Sequence, residues 1–229
     1  MASVAVLQSN YVPWKGYFDI IHDVDVFVFY DDVQFTKNDW RNRNRIKTAQ
    51  GVKWLSVPVG AGIGRTIREV EITDAHWQRK HFETLRQSYG KAPHFAHVEP
   101  FLEEVYVARQ WDNLSALNQF LITSLSRDFL GLSTRFDDSS RYDLRGAKQD
   151  RLIELLEAMG TTRYVSGPSG RDYMDVDEFE RRGIEVVFKE YSAYPEYPQL
   201  HPPFEHRVSI LDLLVHAGTE APRLIWGPR

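Results

Sequence analysis

Residues 4–37 read VAVLQSNYVPWKGYFDIIHDVDVFVFYDDVQFTK, and this stretch decides the fold that the chain is expected to adopt. An apolar run at 4–7 leads into a polar, aromatic turn at 8–14, a segment of helical spacing at 16–22 and a second apolar run at 26–30. This succession predicts strand, loop, helix and strand, the unit that begins a parallel sheet. In such sheets the ligand crevice lies beyond the carboxyl ends of the strands.

The next part of the chain predicts a hairpin followed by helices. A long donor-rich loop leads to strands at 45–48 and 53–59, and alternating residues at 67–72 predict a further strand. Three helices without a strand between them then predict a helical insertion over 74–130 within a single domain of residues 1–229. The predicted helices span 75–89, 100–109 and 114–130.

Strands and helices alternate again in the last hundred residues or so. We therefore predict an α/β protein with a Rossmann-like parallel sheet, helices on both of its faces and the helical insertion. A segment rich in proline and tyrosine, 191–204, is predicted to be irregular. The remaining predicted elements are strands at 133–136, 163–166 and 184–190 and helices at 146–159, 176–182 and 209–216.

The composition excludes several classes of function. The chain has 229 residues, a net charge of −4 and no cysteine, which excludes disulfides, thiolate zinc sites and a cysteine nucleophile. The acidic balance argues against nucleic acid as a partner, and no apolar run approaches the roughly 20 residues of a membrane span. Without a signal peptide at the N-terminus, we expect a cytoplasmic protein. Aromatic residues make up 13% of the chain, which suits either a ring-rich core or a ligand cleft.

The turn after the first strand holds the first candidate site residues. Gln8, Asn10, Tyr11, Trp14 and Tyr17 place amides and rings where a ligand would lie in a parallel sheet. The rings are expected either to pack in the core or to form a stacking wall for a planar or sugar ligand.

Paired carboxylates follow the second strand. Asp31 and Asp32 are candidate catalytic residues, since a carboxylate at a strand end can act as a general base or bind a ribose hydroxyl, an amine or a metal. Adjacent strand residues point to opposite faces, so one of the two is expected to reach the cleft. The alternative role is a cap with an ion pair to Arg41 or Arg43.

The segment KNDWRNRNR, residues 37–45, is locally cationic. Lys37, Arg41, Asn42 and Arg43 are predicted to bind an anionic ligand, because arginine presents a fork suited to carboxylate or phosphate and asparagine can hold that fork. The alternative is a solvated charged loop.

Two further segments supply candidates. His81 is the best-placed general base and Lys80 a substrate-binding neighbour, although a lone histidine is more often a packed residue. The other histidines form no metal pattern, so no metal site is predicted. In SGPSG, Ser166, Gly167 and Ser169 are predicted to cradle an anion after a strand, the alternative being a simple tight turn.

Long segments of the chain together resemble the WbqC-like protein family. The resemblance implies a role in building a surface polysaccharide such as O-antigen, or a specialised metabolite, most simply as a transferase. The segments that carry it are LQSNYVPWKGYFDII, DVFVFYDDVQFTKNDWRNRNRIKT, WQRKHFETLRQSYGKAPHF, YVSGPSGRDYMD and YPQL…FEHRVSILDLL.

A weaker resemblance concerns the layout of the first strands. The order of strand, WKGY and DVFVFYDDVQF is similar to that of pantothenate synthetase and related nucleotidylyltransferases, which carry H-x-G-H at the same helix start. Gly16 matches the glycine, but Trp14 and Tyr17 stand at the histidine positions. The resemblance therefore implies a nucleotide cleft used for a different chemistry, with a nucleotide-sugar, a coenzyme or a carrier-bound acyl group.

Three hypotheses of function follow from these residues. The first is an enzyme that transfers an acyl or aminoacyl group from an anionic donor to an amine, with a nucleotide, coenzyme or acyl carrier as the small-molecule donor. The second is a nucleotidyltransferase-like enzyme that uses a nucleotide or nucleotide-sugar with Mg²⁺. The third is a non-catalytic binding module of a biosynthetic complex. The sequence alone names no cofactor.

Overall fold

Seven strands are found in the computed structural model, which describes residues 2–62, 64–74, 76–192 and 194–227. They are β1 (Ala2–Leu7), β2 (Val26–Phe29), β3 (Arg43–Thr48), β4 (Gly51–Ser56), β5 (Arg135–Asp138), β6 (Thr161–Ser166) and β7 (Glu185–Phe188). Five of them form one parallel sheet in the order β5–β2–β1–β6–β7, and β3 and β4 pair as an antiparallel hairpin.

Eight α-helices lie between and after these strands in the described ranges. They are α1 (Lys15–His22), α2 (Trp77–Tyr89), α3 (Phe95–Glu103), α4 (Leu114–Ser124), α5 (Lys148–Ala158), α6 (Val176–Arg181), α7 (Ile210–Ala217) and α8 (Arg223–Trp226). Helices α2, α3 and α4 follow one another between β4 and β5, where the helical insertion was predicted. Within the described ranges, no helix is both long and apolar enough to cross a bilayer.

The strand order creates a switch point between β1 and β6. The chain adds β2 and β5 on one side of β1 and then returns to add β6 and β7 on the other side. Val4 is the register partner of both Val26 and Tyr164, so β1 lies at the centre of the sheet. In doubly wound sheets, ligands bind outside the carboxyl ends of the two strands at which the order reverses. Here those ends are Leu7 and Ser166.

Both faces of the sheet are covered, which confirms the predicted Rossmann-like architecture. Alternate residues of β1 point to opposite faces, as strand geometry requires. Val4 and Val6 pack in one apolar cluster with side chains of α5, including Leu155. Ala5 lies in a second, larger cluster that extends to α1, to the three helices between β4 and β5, and to α7.

Two element predictions were wrong. Residues 67–72 do not form a strand: Ile67–Glu69 is a 3₁₀ helix, which begins with a reciprocal capping box between Thr66 and Glu69. The apparent alternation came from two buried residues, Ile67 and Val70, that are one helical turn apart.

Helix α3 begins at Phe95 rather than at residue 100, and Pro100 lies inside it. The predicted helix begins at this proline, but the buried residues Phe95, Val98 and Leu102 continue the helical spacing across it. The predicted first residue of α2, Ala75, lies outside the described residues, as does Ala193 of the irregular segment.

Candidate functional site

Two cavities flank the switch point. The first, here called the α5-side cavity, measures about 630 Å³ and is lined by Gln8, Tyr30, Lys148 and Tyr173 among others. The second, here called the hairpin-side cavity, measures about 520 Å³. Its lining includes Asn10, Trp14, Trp40, Asn44, Ser169 and Arg207. The segments that follow β1 and β6 contribute to both cavities, and each cavity has the size of a small-molecule site.

Arg41 bonds to one lining residue of each cavity. Its guanidinium donates one hydrogen bond to Oε1 of Gln8, which lines the α5-side cavity, and one to Oδ1 of Asn10, which lines the hairpin-side cavity. Arginine can only donate, so both amides must present their oxygens to it. The amide nitrogens of Gln8 and Asn10 are thereby left to donate elsewhere. We call these three residues the Arg41 clamp.

The Arg41 guanidinium has few partners for its charge. Only 16% of the side chain is exposed, and the nearest carboxylate, Asp39, lies 3.8 Å away. Burial lowers the pKa of Arg41, against the opposing effect of the Asp39 charge, but an arginine stays protonated. Its buried Nε–H has no hydrogen-bond partner among the described residues. A buried cation with unused donors is suited to bind an anionic or carbonyl oxygen.

Core contacts hold the clamp in position. The backbone oxygen of Arg41 accepts a 2.8 Å hydrogen bond from Asn118 of α4. The hydroxyl of Tyr17, a predicted substrate-binding residue, donates to the backbone oxygen of Gln8 at 3.0 Å. Tyr17 is buried, and this burial raises the pKa of its hydroxyl. Tyr17 therefore supports the loop that carries the candidate ligand-binding amides.

Trp14 forms one wall of the hairpin-side cavity. Its indole lies across Gly16, where a Cβ atom would come within 2.3 Å of Trp14 Cζ2. The ring also packs edge-on against Tyr191 at 5.0 Å and Tyr194 at 5.9 Å between centroids. Glycine is required at this position because the tryptophan ring occupies the space of a side chain.

The SGPSG turn contributes to the same cavity through one of its predicted residues. Ser169 lines the hairpin-side cavity together with Pro168. Ser166 is buried, and its hydroxyl donates to the backbone oxygen of Gly167 at 3.2 Å. Gly167 precedes a short 3₁₀ helix, Pro168–Asp172.

Asp31 and Asp32 diverge, as strand alternation predicts. Asp31 is fully buried and accepts hydrogen bonds from the backbone of Ser9 at 2.8 Å and from the hydroxyl of Ser115 at 2.5 Å. Asp32 accepts from Ser139 at 2.5 Å and pairs with Arg151. These bonds favour structural roles for both carboxylates over the predicted catalytic ones.

His81 is also integrated into the core. Its Nδ1 lies 2.8 Å from the hydroxyl of Tyr11, which in turn lies 2.5 Å from that of Tyr106. His81 shares a helix face with Trp77, with 5.0 Å between the ring centroids. Burial lowers the pKa of His81 to about 4, so the imidazole is neutral at pH 7. Neither His81 nor Tyr11 is among the described residues that line the two cavities.

Four other predicted residues lie away from the cavity linings given above. Lys37 is exposed, and so is Lys80, which lies 3.8 Å from Asp74. Asn42 is buried and donates to the backbone of Val57, while Arg43 stacks on Trp54 of the hairpin. Of the predicted residues, Gln8, Asn10, Trp14 and Ser169 line the two cavities, and Arg41 bonds to two of them.

Sequence reasoning missed several residues of this region. Trp40 and Asn44 lie within the cationic segment that was singled out, and the tryptophan between two polar runs was a usable signal. Arg207 and Lys148 come from distant parts of the chain, and no local pattern marked them.

A buried lysine was missed as well. Lys15, the first residue of α1, has its Nζ 5.1 Å from the ring centroid of Tyr194, 5.4 Å from that of Tyr197 and 5.6 Å from that of Phe204. The same Nζ lies 3.2 Å from Nδ1 of His206. Burial lowers the pKa of Lys15 to about 8. Its neighbour in sequence, Trp14, lines the hairpin-side cavity, and Lys15 itself is not among the residues of that lining.

The fold is that of an α/β protein with two cavities beside the switch point of its sheet. The sequence profile of the WbqC-like protein family matches residues 8–224, and the chain belongs to this family. Over 224 residues it is 46% identical to the uncharacterized protein Rv1507c of Mycobacterium tuberculosis. That alignment covers 97% of this chain and 96% of the relative.

Proposed function

We propose that the chain is a group-transfer enzyme that moves an acyl or aminoacyl group onto an amine during the synthesis of a surface polysaccharide such as O-antigen, or of a small molecule. The observation that carries this proposal is the Arg41 clamp, a buried guanidinium between two cavities. A transfer reaction needs a donor and an acceptor side by side, and two cavities whose linings share Arg41 as a hydrogen-bond partner suit that arrangement.

The chemistry of the clamp suits acyl transfer. When the amine nitrogen attacks the carbonyl carbon of a thioester, a C–N bond forms, the C–S bond breaks and the leaving thiolate takes up the proton that the amine loses. Negative charge develops on the carbonyl oxygen during this step. The unused donors of Arg41, Gln8 and Asn10 are available to that oxygen or to an anionic part of the donor.

In this proposal Asp31 and His81, the predicted bases, hold the loop after β1 in position. Asp31 fixes the loop after β1 by accepting from the backbone of Ser9, and His81 contacts the hydroxyl of Tyr11 in the same loop. Both residues therefore act through the position of the clamp.

Transfer assays with Arg41 variants test the proposal. Wild-type protein is incubated with acyl-coenzyme A thioesters and amino sugars, and amide products are detected by mass spectrometry. Arg41→Gln is expected to lower kcat/KM by roughly 100-fold, because a preorganised charged donor is lost. Arg41→Lys is expected to recover part of the activity, since it keeps the charge but not the fork.

The matched control is Arg79→Gln, which removes an exposed arginine paired with Glu83 on α2. It changes the net charge equally and is expected to keep wild-type activity. Equal activity of Arg41→Gln and wild-type protein would refute the role of the clamp. If wild-type protein transfers no group in any assay, the proposal itself fails.

The nucleotidyltransferase-like alternative relied on Asp31 or Asp32 as ligands for Mg²⁺. Both carboxylates accept hydrogen bonds from protein groups, which gives this alternative less support than acyl transfer. A non-catalytic binding module is expected to have an exposed aromatic patch and no closed polar cleft. Such a patch exists at Trp40 and Trp54, next to the hairpin-side cavity.

A further inference from the structure

Two tryptophans are unusually exposed beside the hairpin-side cavity. Trp40 is 40% exposed and Trp54 of β4 is 42% exposed. Their ring centroids are 5.4 Å apart, so the two indoles form one aromatic surface. Exposed aromatic side chains that contact each other in this way mark an interaction site.

Two arginines of β3 are interleaved with these rings. The guanidinium carbon of Arg43 lies 4.3 Å from the centroid of Trp54, and that of Arg45 lies 5.8 Å from the centroids of both Trp40 and Trp54. Both Nε–H groups are buried and have no hydrogen-bond partner in the described chain. We call Trp40, Arg43, Arg45 and Trp54 the Trp–Arg face.

Arg43 and Arg45 form no ion pair with a carboxylate of the described residues. The neighbouring Asp39 pairs with Arg41 instead. The chain as a whole carries a net charge of −4, so a cationic surface without paired carboxylates is a local feature. Such a surface is suited to an anionic ligand.

The Trp–Arg face is continuous with the hairpin-side cavity through Trp40, which belongs to both. The lining of this cavity also includes Trp14 and Pro168, and Arg207 supplies a further cation. Asn10 supplies an amide nitrogen, since its oxygen faces Arg41. A ligand here would meet flat apolar walls, a few hydrogen-bond donors and several cations.

We propose that the Trp–Arg face and the hairpin-side cavity bind the nucleoside diphosphate portion of a substrate. The base stacks on Trp40, and the diphosphate pairs with Arg45 and Arg207. This inference rests on the proposed function, because it names the chemical class that carries the donor or the acceptor. Coenzyme A and nucleotide-sugars both contain this portion, and the rest of either molecule would extend toward Asn10 and the Arg41 clamp.

The dimensions favour one nucleotide over a nucleic acid strand. Stacking rings with arginines also bind single-stranded nucleic acid, but such proteins track several nucleotides along a basic groove. Here the aromatic surface contains two tryptophans, and the adjoining cavity of about 520 Å³ suits a single small ligand.

Isothermal titration tests the inference with ADP, UDP, coenzyme A, UDP-N-acetylglucosamine and an eight-residue oligothymidylate as probes. Trp40→Leu is expected to weaken binding of the preferred nucleotide by about 5- to 150-fold, since stacking of one base contributes about 1–3 kcal/mol. Trp40→Phe is expected to keep most of the affinity, because it retains a ring. Arg45→Gln is expected to weaken binding and to reduce its dependence on salt.

Arg79→Gln again serves as the control for charge and is expected to bind as wild-type protein does. Tighter binding of coenzyme A than of UDP and its sugar supports the coenzyme as the source, and the reverse order supports a nucleotide-sugar. Binding of oligothymidylate that exceeds every mononucleotide overturns the inference. So does the absence of nucleotide binding by wild-type protein, or full affinity of both Trp40→Leu and Arg45→Gln.

The two proposals fail in different ways. Loss of transfer in Arg41→Gln with unchanged nucleotide binding in both Trp40→Leu and Arg45→Gln leaves the group-transfer function intact and overturns the nucleotide site. Nucleotide binding that depends on Trp40, without any transfer activity, supports the nucleotide site and overturns the group-transfer function.

Discussion

Near the switch point, hydrogen bonds and packing fix the orientation of individual side chains. Arg41 forces the amides of Gln8 and Asn10 to turn their nitrogens away from it, because a guanidinium has no acceptor. Gly16 is equally constrained, since the Trp14 indole occupies the space that a Cβ atom would need. The candidate ligand-binding groups are thus positioned before a ligand arrives, which reduces the cost of ordering them on binding.

Stability at low pH is expected to depend on His81. Burial lowers its pKa to about 4 in the folded chain, against 6.5 for a free histidine. Between these values the unfolded chain binds a proton that the folded chain excludes, so the free energy of unfolding falls as the pH drops through this window. The full effect, reached below pH 4, corresponds to about 3 kcal/mol.

Urea unfolding of wild-type protein and His81→Gln between pH 7.5 and 4 would measure this effect. The variant lacks the imidazole and is expected to lose less stability over that range. His76→Gln, which changes an exposed histidine at the start of α2, is expected to follow the wild-type protein. Parallel curves for wild-type protein and His81→Gln would contradict the assignment of a depressed pKa to His81.

At the scale of secondary structure elements, Asp31 connects three parts of the fold. It follows β2, bonds to the backbone of Ser9 in the loop after β1, and accepts from Ser115 and Gln119 of α4. The helices between β4 and β5 are thereby tied to the carboxyl ends of the central strands. The same helix, α4, holds the backbone of Arg41 through Asn118.

Asp31→Asn is expected to destabilise the protein by about 2–3 kcal/mol, because hydrogen bonds to a buried charge are lost and an amide nitrogen faces a donor. The shift in the urea midpoint measures this cost. Asp143→Asn is the control: its ion pair with Arg145 is exposed, and its loss is expected to change stability by less than about 1 kcal/mol. Wild-type stability of Asp31→Asn, combined with loss of transfer, would support the predicted catalytic role instead.

The elements themselves were largely predictable where local pattern decided them. Strand β1, helix α1 and strand β2 follow from the apolar runs of residues 4–37, and the three successive helices follow from their spacing. The failure at residues 67–72 had a tertiary cause. Backbone groups of Ile67 and Arg68 bond to the loop after β2, at Val33 and Asp31, and these contacts favour a 3₁₀ turn that no local pattern shows.

At the scale of the whole molecule, the site is formed by segments far apart in sequence. Gln8, Asn10 and Arg41 were recognisable because polar residues at strand ends of a parallel sheet converge on one edge. Arg207 and the rings around Lys15 were not, because only the folded chain brings residues near 204 back to the start of α1. His81 shows the converse: its type suggested catalysis, and only burial shows that it contacts Tyr11 in the core.

In the proposed function, the donor binds at the carboxyl ends of β1 and β6 and contacts the Arg41 clamp. The most direct test is a crystal structure with a non-hydrolysable ketone analogue of the thioester donor that gives product in the transfer assays. In this analogue a CH₂ group replaces the thioester sulfur and the acyl oxygen is kept. We predict that the analogue occupies the hairpin-side or the α5-side cavity, with its acyl oxygen at about 3 Å from a nitrogen of Arg41, Gln8 or Asn10. An analogue bound outside both cavities, with the clamp unchanged, would contradict the claim.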